Sequence, residues 1–195
     1  MLFINVYDFD NTIYKGESTL DFYFFCVRRH PLLLRFVFIV AWTLVKYRMC
    51  LVSEDELMNL CSKYVRTFLT ECGDVEKLAK EFWKKYKSRI KPFYRDTHKP
   101  SDVIVSASFG FLLREIMPEI GVSNLVCSEV DLDEMKIVRL CYRGSKVKIF
   151  KELYSDCDVE DFYTDSLNDL PLMKLAKGKV YMVKGEKILE WNINC

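Results

Sequence analysis

A short apolar run, Leu2 to Tyr7, is rich in strand formers and ends on an acidic turn, Asp8-Phe9-Asp10-Asn11-Thr12. No second strand pattern follows until Val103. From about Ser18 to Ile90 the apolar residues recur at spacings of three and four, Ser53 precedes Glu54-Asp55-Glu56 as a helix start, and the ends are lysine-rich. The first strand must therefore find its partners beyond a long helical stretch. From Asp102 onward the periods alternate: strand Val103 to Val105, helix Phe109 to Met117 stopped by Pro118, strand Leu125 to Cys127, and a hairpin over residues 130 to 142. A helix at Lys146 to Tyr154, a strand at Val159 to Tyr163, a helix at Asn168 to Ala176 and a strand at Val180 to Val183 complete the pattern. This order predicts an α/β fold, a Rossmann-like, mainly parallel sheet with helices on both faces. Residues 1–13 and 99–195 form its core, and residues 14–98 are an all-helical insertion after the first strand.

Half of the 195 residues are hydrophobic and 14% are aromatic, with 7 Gly and 5 Pro, so disorder and fibrous repeats are excluded. The 29 Lys and Arg balance 28 Asp and Glu, which gives no reason to expect a nucleic-acid partner. Eight cysteines include no Cys-x-x-Cys pair and no histidines at zinc spacing, and they read as reduced thiols. The first residues lack a basic stretch and a small-residue cleavage site, so the expected setting is cytoplasmic.

One segment breaks the charge balance. Phe22 to Ser53 holds Arg28, Arg29, Arg35, Lys46 and Arg48 and no acidic residue, leaving 24 basic against 28 acidic elsewhere. Its apolar run Phe36 to Val45 is ten residues, short of the roughly 18 to 20 that cross a bilayer. Two readings stand side by side for residues 22–53. One is an interfacial helix with Trp42, Phe and Leu inward and Arg and Lys among anionic headgroups, giving peripheral contact at the inner face of a membrane. The other is a buried helix hairpin with surface arginines.

Ligands of open α/β sheets bind beyond the carboxyl ends of the strands. Those positions are polar here: Asp8 and Asp10 after the first strand, Ser106 after the second, Asp165 and Asp169 after the fourth, with Lys146 opening the helix before it. Two aspartates on one turn repel each other and favour a bound cation or a proton. With Asp165 they offer hard oxygen donors suited to Mg2+, which keeps waters and substrate phosphate in its shell. Lys146, the Ser106 hydroxyl and the backbone N–H groups of Ala107 and Ser108 are suited to phosphate oxygens. Taken singly, each residue reads more readily as a helix cap or a solvated lysine; together they favour a site.

Four elements, Asp8-Phe9-Asp10-Asn11-Thr12, Ser106 after Val103-Ile104-Val105, Lys146 in Gly144-Ser145-Lys146-Val147, and Asp165-Ser166-Leu167-Asn168-Asp169, resemble in order the four motifs of haloacid dehalogenase-like phosphatases. The resemblance implies a Mg2+-dependent phosphomonoester hydrolase in which Asp8 attacks phosphorus and Asp10 is general acid and base. It implies metal binding by Asp8, Asp10 and Asp165 with Asp169 as ligand or support, and phosphate binding by Ser106, Ala107, Lys146 and Asn168. Lys146 is preferred to Lys148 because Val147-Lys148-Ile149-Phe150 keeps the family spacing. Thr12 is expected to shape the first loop. Many members carry Gly beside the Asp165 position, where this chain has Thr164 and Ser166. The insertion resembles the helical cap of the phosphoserine-phosphatase-like subfamily, in which Glu17 matches a residue that reads the substrate; Glu17-Ser18 reads equally as a helix start. His30 and His98 have no partner pattern and read as structural. The Arg28-Arg29-His30-Pro31 turn with its apolar basic run is similar to bacterial phosphatidylglycerophosphatases of type C, which implies a lipid phosphate beside small phosphomonoesters as substrate. The alternative from another class is a catalytically inactive phosphatase-like module that binds a membrane surface or a protein partner. Oligomeric state and an acceptor other than water are left open by the residues.

Overall fold

The structure, a computed structural model, describes residues 2–36, 42 and 54–192. Strand β1 (Leu2–Tyr7) is followed by helices α1 (Ser18–Val27), α2 (Glu54–Cys72), α3 (Val75–Tyr86) and α4 (Pro92–Thr97). Then come β2 (Val103–Phe109), α5 (Gly110–Leu113), β3 (Asn124–Asp131), β4 (Lys136–Arg139), α6 (Gly144–Leu153), β5 (Cys157–Thr164), α7 (Leu170–Met173), β6 (Val180–Lys184) and β7 (Lys187–Trp191). The seven strands form one sheet in the order β4-β3-β2-β1-β5-β6-β7. Neighbours from β3 to β6 are parallel, and the edge strands β4 and β7 pair antiparallel. The mainly parallel α/β sheet expected from the sequence is therefore present, with β1 at its centre.

Alternation along the central strands builds two apolar layers. Ile4, Val6, Val103, Val105 and Val126 face α6 and α7, where Ile149, Phe150, Leu172 and Met173 cover them. Tyr7, Ile104 and Cys127 point the other way, into a layer with Leu112 and Leu113 of α5. The helices between β1 and β2 join that second layer. Phe22 and Phe25 of α1 meet Phe82 of α3 at centroid distances of 5.6 and 5.7 Å, and the buried Trp83 indole donates to the Leu112 carbonyl at 2.7 Å. Helix α3 begins cleanly because Asp74 accepts the Lys77 N–H at 2.9 Å, and its amphipathic pattern places Leu78, Ala79, Phe82 and Trp83 inward.

Three local expectations differ from the structure. The helix expected over Phe109 to Met117 stops at Leu113, and a 3-10 turn over Met117–Ile120 follows, with Pro118 inside it and Gly121 at φ 75° closing it. That broken path buries Leu112, Leu113, Ile116, Met117 and Ile120 together. The helix expected over Asn168 to Ala176 shrinks to α7 behind a 3-10 turn, because Asp169 is drawn aside by two side chains and leaves helical geometry at φ −89°, ψ 8°. Strand β7 is additional; a Gly185-Glu186 turn with Gly185 at φ 61° folds it onto β6, and its exposed residues lack the alternation that marks a half-buried strand. Cys26, Cys72, Cys127, Cys141 and Cys157 are free thiols, as read from the sequence. Lys46, Arg48 and nearly all of the apolar run from Phe36 lie outside the described residues.

Phe82 is fully buried among four aromatic neighbours, Phe22, Phe25, Trp83 and Tyr86, so Phe82→Ala is expected to cost about 3–5 kcal/mol in urea unfolding. Leu20→Ala, at a 52% exposed position, is expected to stay within about 0.5 kcal/mol. Equal losses at the two positions would contradict this packing.

Candidate active site

The turn after β1 is fixed by its backbone. Asp8 N–H donates to the Tyr163 carbonyl of β5 at 2.9 Å, and Ile13 and Tyr14 both donate to the Phe9 carbonyl at 2.9 Å. Asn11 adopts the left-handed region at φ 56°, which asparagine tolerates better than most residues. Its carbonyl accepts from the buried Lys91 ammonium, and its N–H donates to Gly16 at 2.9 Å. Thr12 is completely buried inside this loop. Two carboxylates two residues apart are thereby held at the same sheet edge.

Asp8 meets residues from two distant elements. The Lys146 ammonium, near the start of α6, lies 2.8 Å from Asp8 Oδ1 and 2.8 Å from Asp169 Oδ1. All three residues are buried. Burial works against the Lys146 charge, but the two carboxylates outweigh it and raise its pKa above the ordinary lysine value. Burial raises the Asp8 pKa, the Lys146 ammonium opposes that rise, and Asp169 adds to it. Lys148, by contrast, is exposed.

Asp10 is held separately. Its Oδ1 accepts the Ser18 N–H at 2.6 Å, at the amino end of α1, where the helix dipole favours a negative group. Its Oδ2 accepts the Ser108 hydroxyl at 2.6 Å, and Thr19 donates to that same hydroxyl at 2.8 Å. Burial pushes the Asp10 carboxyl up, and the bonds from Ser108 and Ser18 restrain the rise. The Asp10 carboxyl is thus fixed in orientation from two sides.

The remaining sequence-predicted residues fall around this centre. Ser106 is buried and its hydroxyl accepts the Ser108 N–H at 3.1 Å, while Ala107 is exposed with its carbonyl bonded to Ser128 at 2.7 Å. Asp165 is half-buried beyond β5, and its carboxyl is pushed up by burial and then by Asp169. Asn168 is exposed, and its backbone N–H donates to Ser166 at 3.2 Å. Glu17 is an exposed residue at the start of α1; it accepts from Asn11 Nδ2 at 2.6 Å, and burial, Asp10 and Asp165 raise its carboxyl. The Thr164 hydroxyl, beside Asp165 where many members of the resembled family carry Gly, donates to Asp169 Oδ2 at 2.9 Å. It supplies an orienting contact that glycine lacks.

Sequence reading passed over the side chains of Ser18, Thr19, Ser108 and Thr164. Ser108 carried a usable signal, a second hydroxyl two positions after Ser106 and so at the same strand end. Ser18 carried less, since it meets Asp10 through its backbone N–H as well as its side chain.

The donor set is all oxygen. Asp169 and Asp10 raise the carboxyls of Asp8 and Asp165, and Asp10 and Asp165 raise that of Glu17, around one buried ammonium, as expected where a further cation is called for. Among the described residues no three His, Cys, Asp or Glu side chains gather tightly enough to hold a metal alone. That combination fits an ion that takes one or two carboxylates and completes its shell with backbone oxygen, water and phosphate, as Mg2+ does, better than zinc.

A model of haloacid dehalogenase-like hydrolases matches residues 6–174, which contain every residue of this constellation. The chain belongs to the haloacid dehalogenase-like hydrolase family. No curated protein sequence matches it. Solved structures share the fold of this hydrolase. A Bordetella pertussis Tohama I protein described as of unknown function has TM-score 0.68 and 17% identity over 89% of this chain and 86% of its own. A Francisella tularensis phosphoserine phosphohydrolase-like protein has TM-score 0.59 and 16% identity over 92% and 86%. A probable phosphoserine phosphatase from Vibrio cholerae has TM-score 0.56 and 12% identity over 90% and 54%.

Lys146→Met leaves Asp8 and Asp169 buried without their ammonium, and about 3–5 kcal/mol of stability is expected to go at pH 8 in chelator. In that variant the folded Asp8 carboxyl, raised by burial and no longer opposed by Lys146, holds a proton that the unfolded one has released. The folded state then binds more protons, so stability is present at low pH and is lost as pH rises through the elevated folded pKa. Urea unfolding at pH 5.5 should therefore show a smaller deficit than at pH 8; a pH-independent deficit would contradict the buried triad.

Proposed function

We propose that this hydrolase is a phosphatase that cleaves phosphomonoesters through a phosphoryl-Asp8 intermediate. The reading is carried by the meeting of Asp8, Lys146 and Asp169 at 2.8 Å from three separate parts of the chain, with Asp10 clamped beside them. An Asp8 oxygen attacks phosphorus, the bond from phosphorus to the ester oxygen breaks, and Asp10 gives its proton to that oxygen. Asp10, now a carboxylate, accepts a proton from water as the water oxygen attacks phosphorus. The bond from phosphorus to Asp8 breaks and phosphate leaves. Lys146, Ser106, the Ala107 N–H and Asn168 hold phosphate oxygens, so the dianion is met by charge and donors that need no rearrangement. Asp169, fixed by Thr164, keeps Lys146 aimed at Asp8.

In this reading Mg2+ is held by the Asp8 carboxylate, the Asp10 backbone carbonyl and Asp165, with Asp169 in support, and when bound it supplies positive charge that offsets repulsion between nucleophile and phosphate. Residues 1–13 and 99–195 serve as the catalytic core and residues 14–98 as a cap that selects substrate. Glu17, tied to Asn11, is the proposed substrate-reading residue on the polar side. The shared fold with the Francisella phosphoserine phosphohydrolase-like protein and the Vibrio probable phosphoserine phosphatase supports the phosphatase class.

The substrate is a small phosphomonoester or a lipid phosphate. Leu20, Phe24, Leu32, Leu34 and Trp42 expose between 44% and 62% of their surface, an unusual density of outward apolar side chains that supports contact with a membrane surface. Against a strongly cationic face, Arg29 pairs with Glu81 at 3.1 Å and Arg35 with Glu71 at 3.3 Å. No helix among the described residues is long and apolar enough to cross a membrane.

Hydrolysis of p-nitrophenyl phosphate is expected to require Mg2+, to stop with chelator and to fall below detection in Asp8→Asn. Sustained turnover in that variant would overturn covalent catalysis by Asp8. Asp10→Asn is expected to lower kcat about 10²–10⁴-fold for an alkyl phosphate and far less for p-nitrophenyl phosphate, whose leaving oxygen needs no proton. Equal losses for the two esters would remove Asp10 as the acid.

A further inference from the structure

We infer that the alcohol released at this site carries an apolar group about the size of a six-membered ring, seated in a cavity beside Asp10. The inference rests on the phosphatase reading and adds a substrate class to it. The cavity has a volume of about 160 Å³, and its walls include Thr19, Phe22, Val65, Phe68, Leu69 and Phe109. No charged side chain lines it among the described residues.

Its position follows from the clamp on Asp10. Ser18 and Ser108 hold the two Asp10 oxygens, and the next residues in the chain, Thr19 and Phe109, are cavity wall. One turn further along α1, Phe22 continues that wall. The acid that protonates a leaving oxygen must lie within hydrogen-bond reach of it. The group attached to that oxygen is therefore on the side of the site where these two segments enclose the cavity.

The walls decide what that group can be. A polar group entering would lose water and find few partners, because the Thr19 hydroxyl already donates to Ser108 at 2.8 Å and the Tyr23 hydroxyl to the Leu33 carbonyl. An apolar group gains from the same desolvation. A dry cavity of roughly 150 Å³ accepts benzene, so this one takes about six carbons before it is full. Leu33, which also lines the cavity, is buried between exposed Leu32 and Leu34, so the apolar wall continues to the outer surface of the insertion.

The test uses the full chain with Mg2+ and the monoalkyl phosphates from methyl to octyl. Expected is a rise in kcat/KM of about fourfold per methylene, the increment of one buried CH2, that levels off near six carbons. Val65→Phe should flatten the rise, and Leu69→Ala should move the levelling point to longer chains. A flat series in the unaltered protein, the result also expected if another segment of the chain fills the cavity, would overturn the inference. Calorimetric titration with methyl- to octylphosphonate, which cannot be hydrolysed as esters, separates it from the phosphatase reading. Affinity that climbs with chain length while no ester turns over would sustain the cavity and defeat the phosphatase. Ester turnover and phosphonate binding that both ignore chain length would do the reverse.

Discussion

A single buried ammonium shared by two buried carboxylates organises this end of the sheet. Each carboxylate reaches Lys146 from a different strand end, Asp8 from β1 and Asp169 from beyond β5, and neither is tolerable in that setting without it. Two attractions at an effective dielectric near 20 are worth about 4 kcal/mol each before desolvation is charged against them, so the triad is a device for position more than for stability. It also shapes the backbone: with its carboxylate held by Lys146 and Thr164, Asp169 leaves helical geometry and α7 starts only after it. The same electrostatics leave Asp165 and Glu17 with raised carboxyls and an unmet demand for positive charge at the mouth of the site.

The helical insertion and the sheet are joined by one aromatic layer. Phe9 and Tyr14 of the first loop meet Trp83 edge-on at 6.1 and 5.5 Å, so the turn that carries Asp8 and Asp10 is braced by α3. Ser18 at the start of α1 then returns to Asp10. The insertion thus contributes directly to the geometry of the proposed acid as well as enclosing the space beside it, and in the proposed mechanism a few residues join substrate selection to proton transfer.

Much of this was legible in the chain. Strand periods after Asp102, the isolated first strand and the polar residues at strand ends sufficed for the sheet, because a parallel sheet places those ends side by side whatever the intervening loops do. Lys146 could be preferred to Lys148 on spacing, and burial separates them in the same sense. What stayed hidden depends on three-dimensional contact. The Ser108 to Asp10 bond joins residues 98 positions apart, and part of the Ser18 contact is a backbone N–H, which leaves no trace in residue type. Strand β7 escaped because its exposed residues need no alternation, and the long helices expected after β2 and β5 ignored how tightly those turns must bury apolar residues or aim Asp169.

The nucleophile is tested most directly by trapping. Acid quench of the protein during turnover of a phosphomonoester, reduction with borohydride and peptide mass analysis converts an acyl-phosphorylated aspartate to homoserine and marks its place in the sequence. Homoserine at position 8 alone is the expected result. Its appearance at position 10 or 165, or turnover with no marked residue under conditions that trap an acyl phosphate, would contradict the assignment of Asp8.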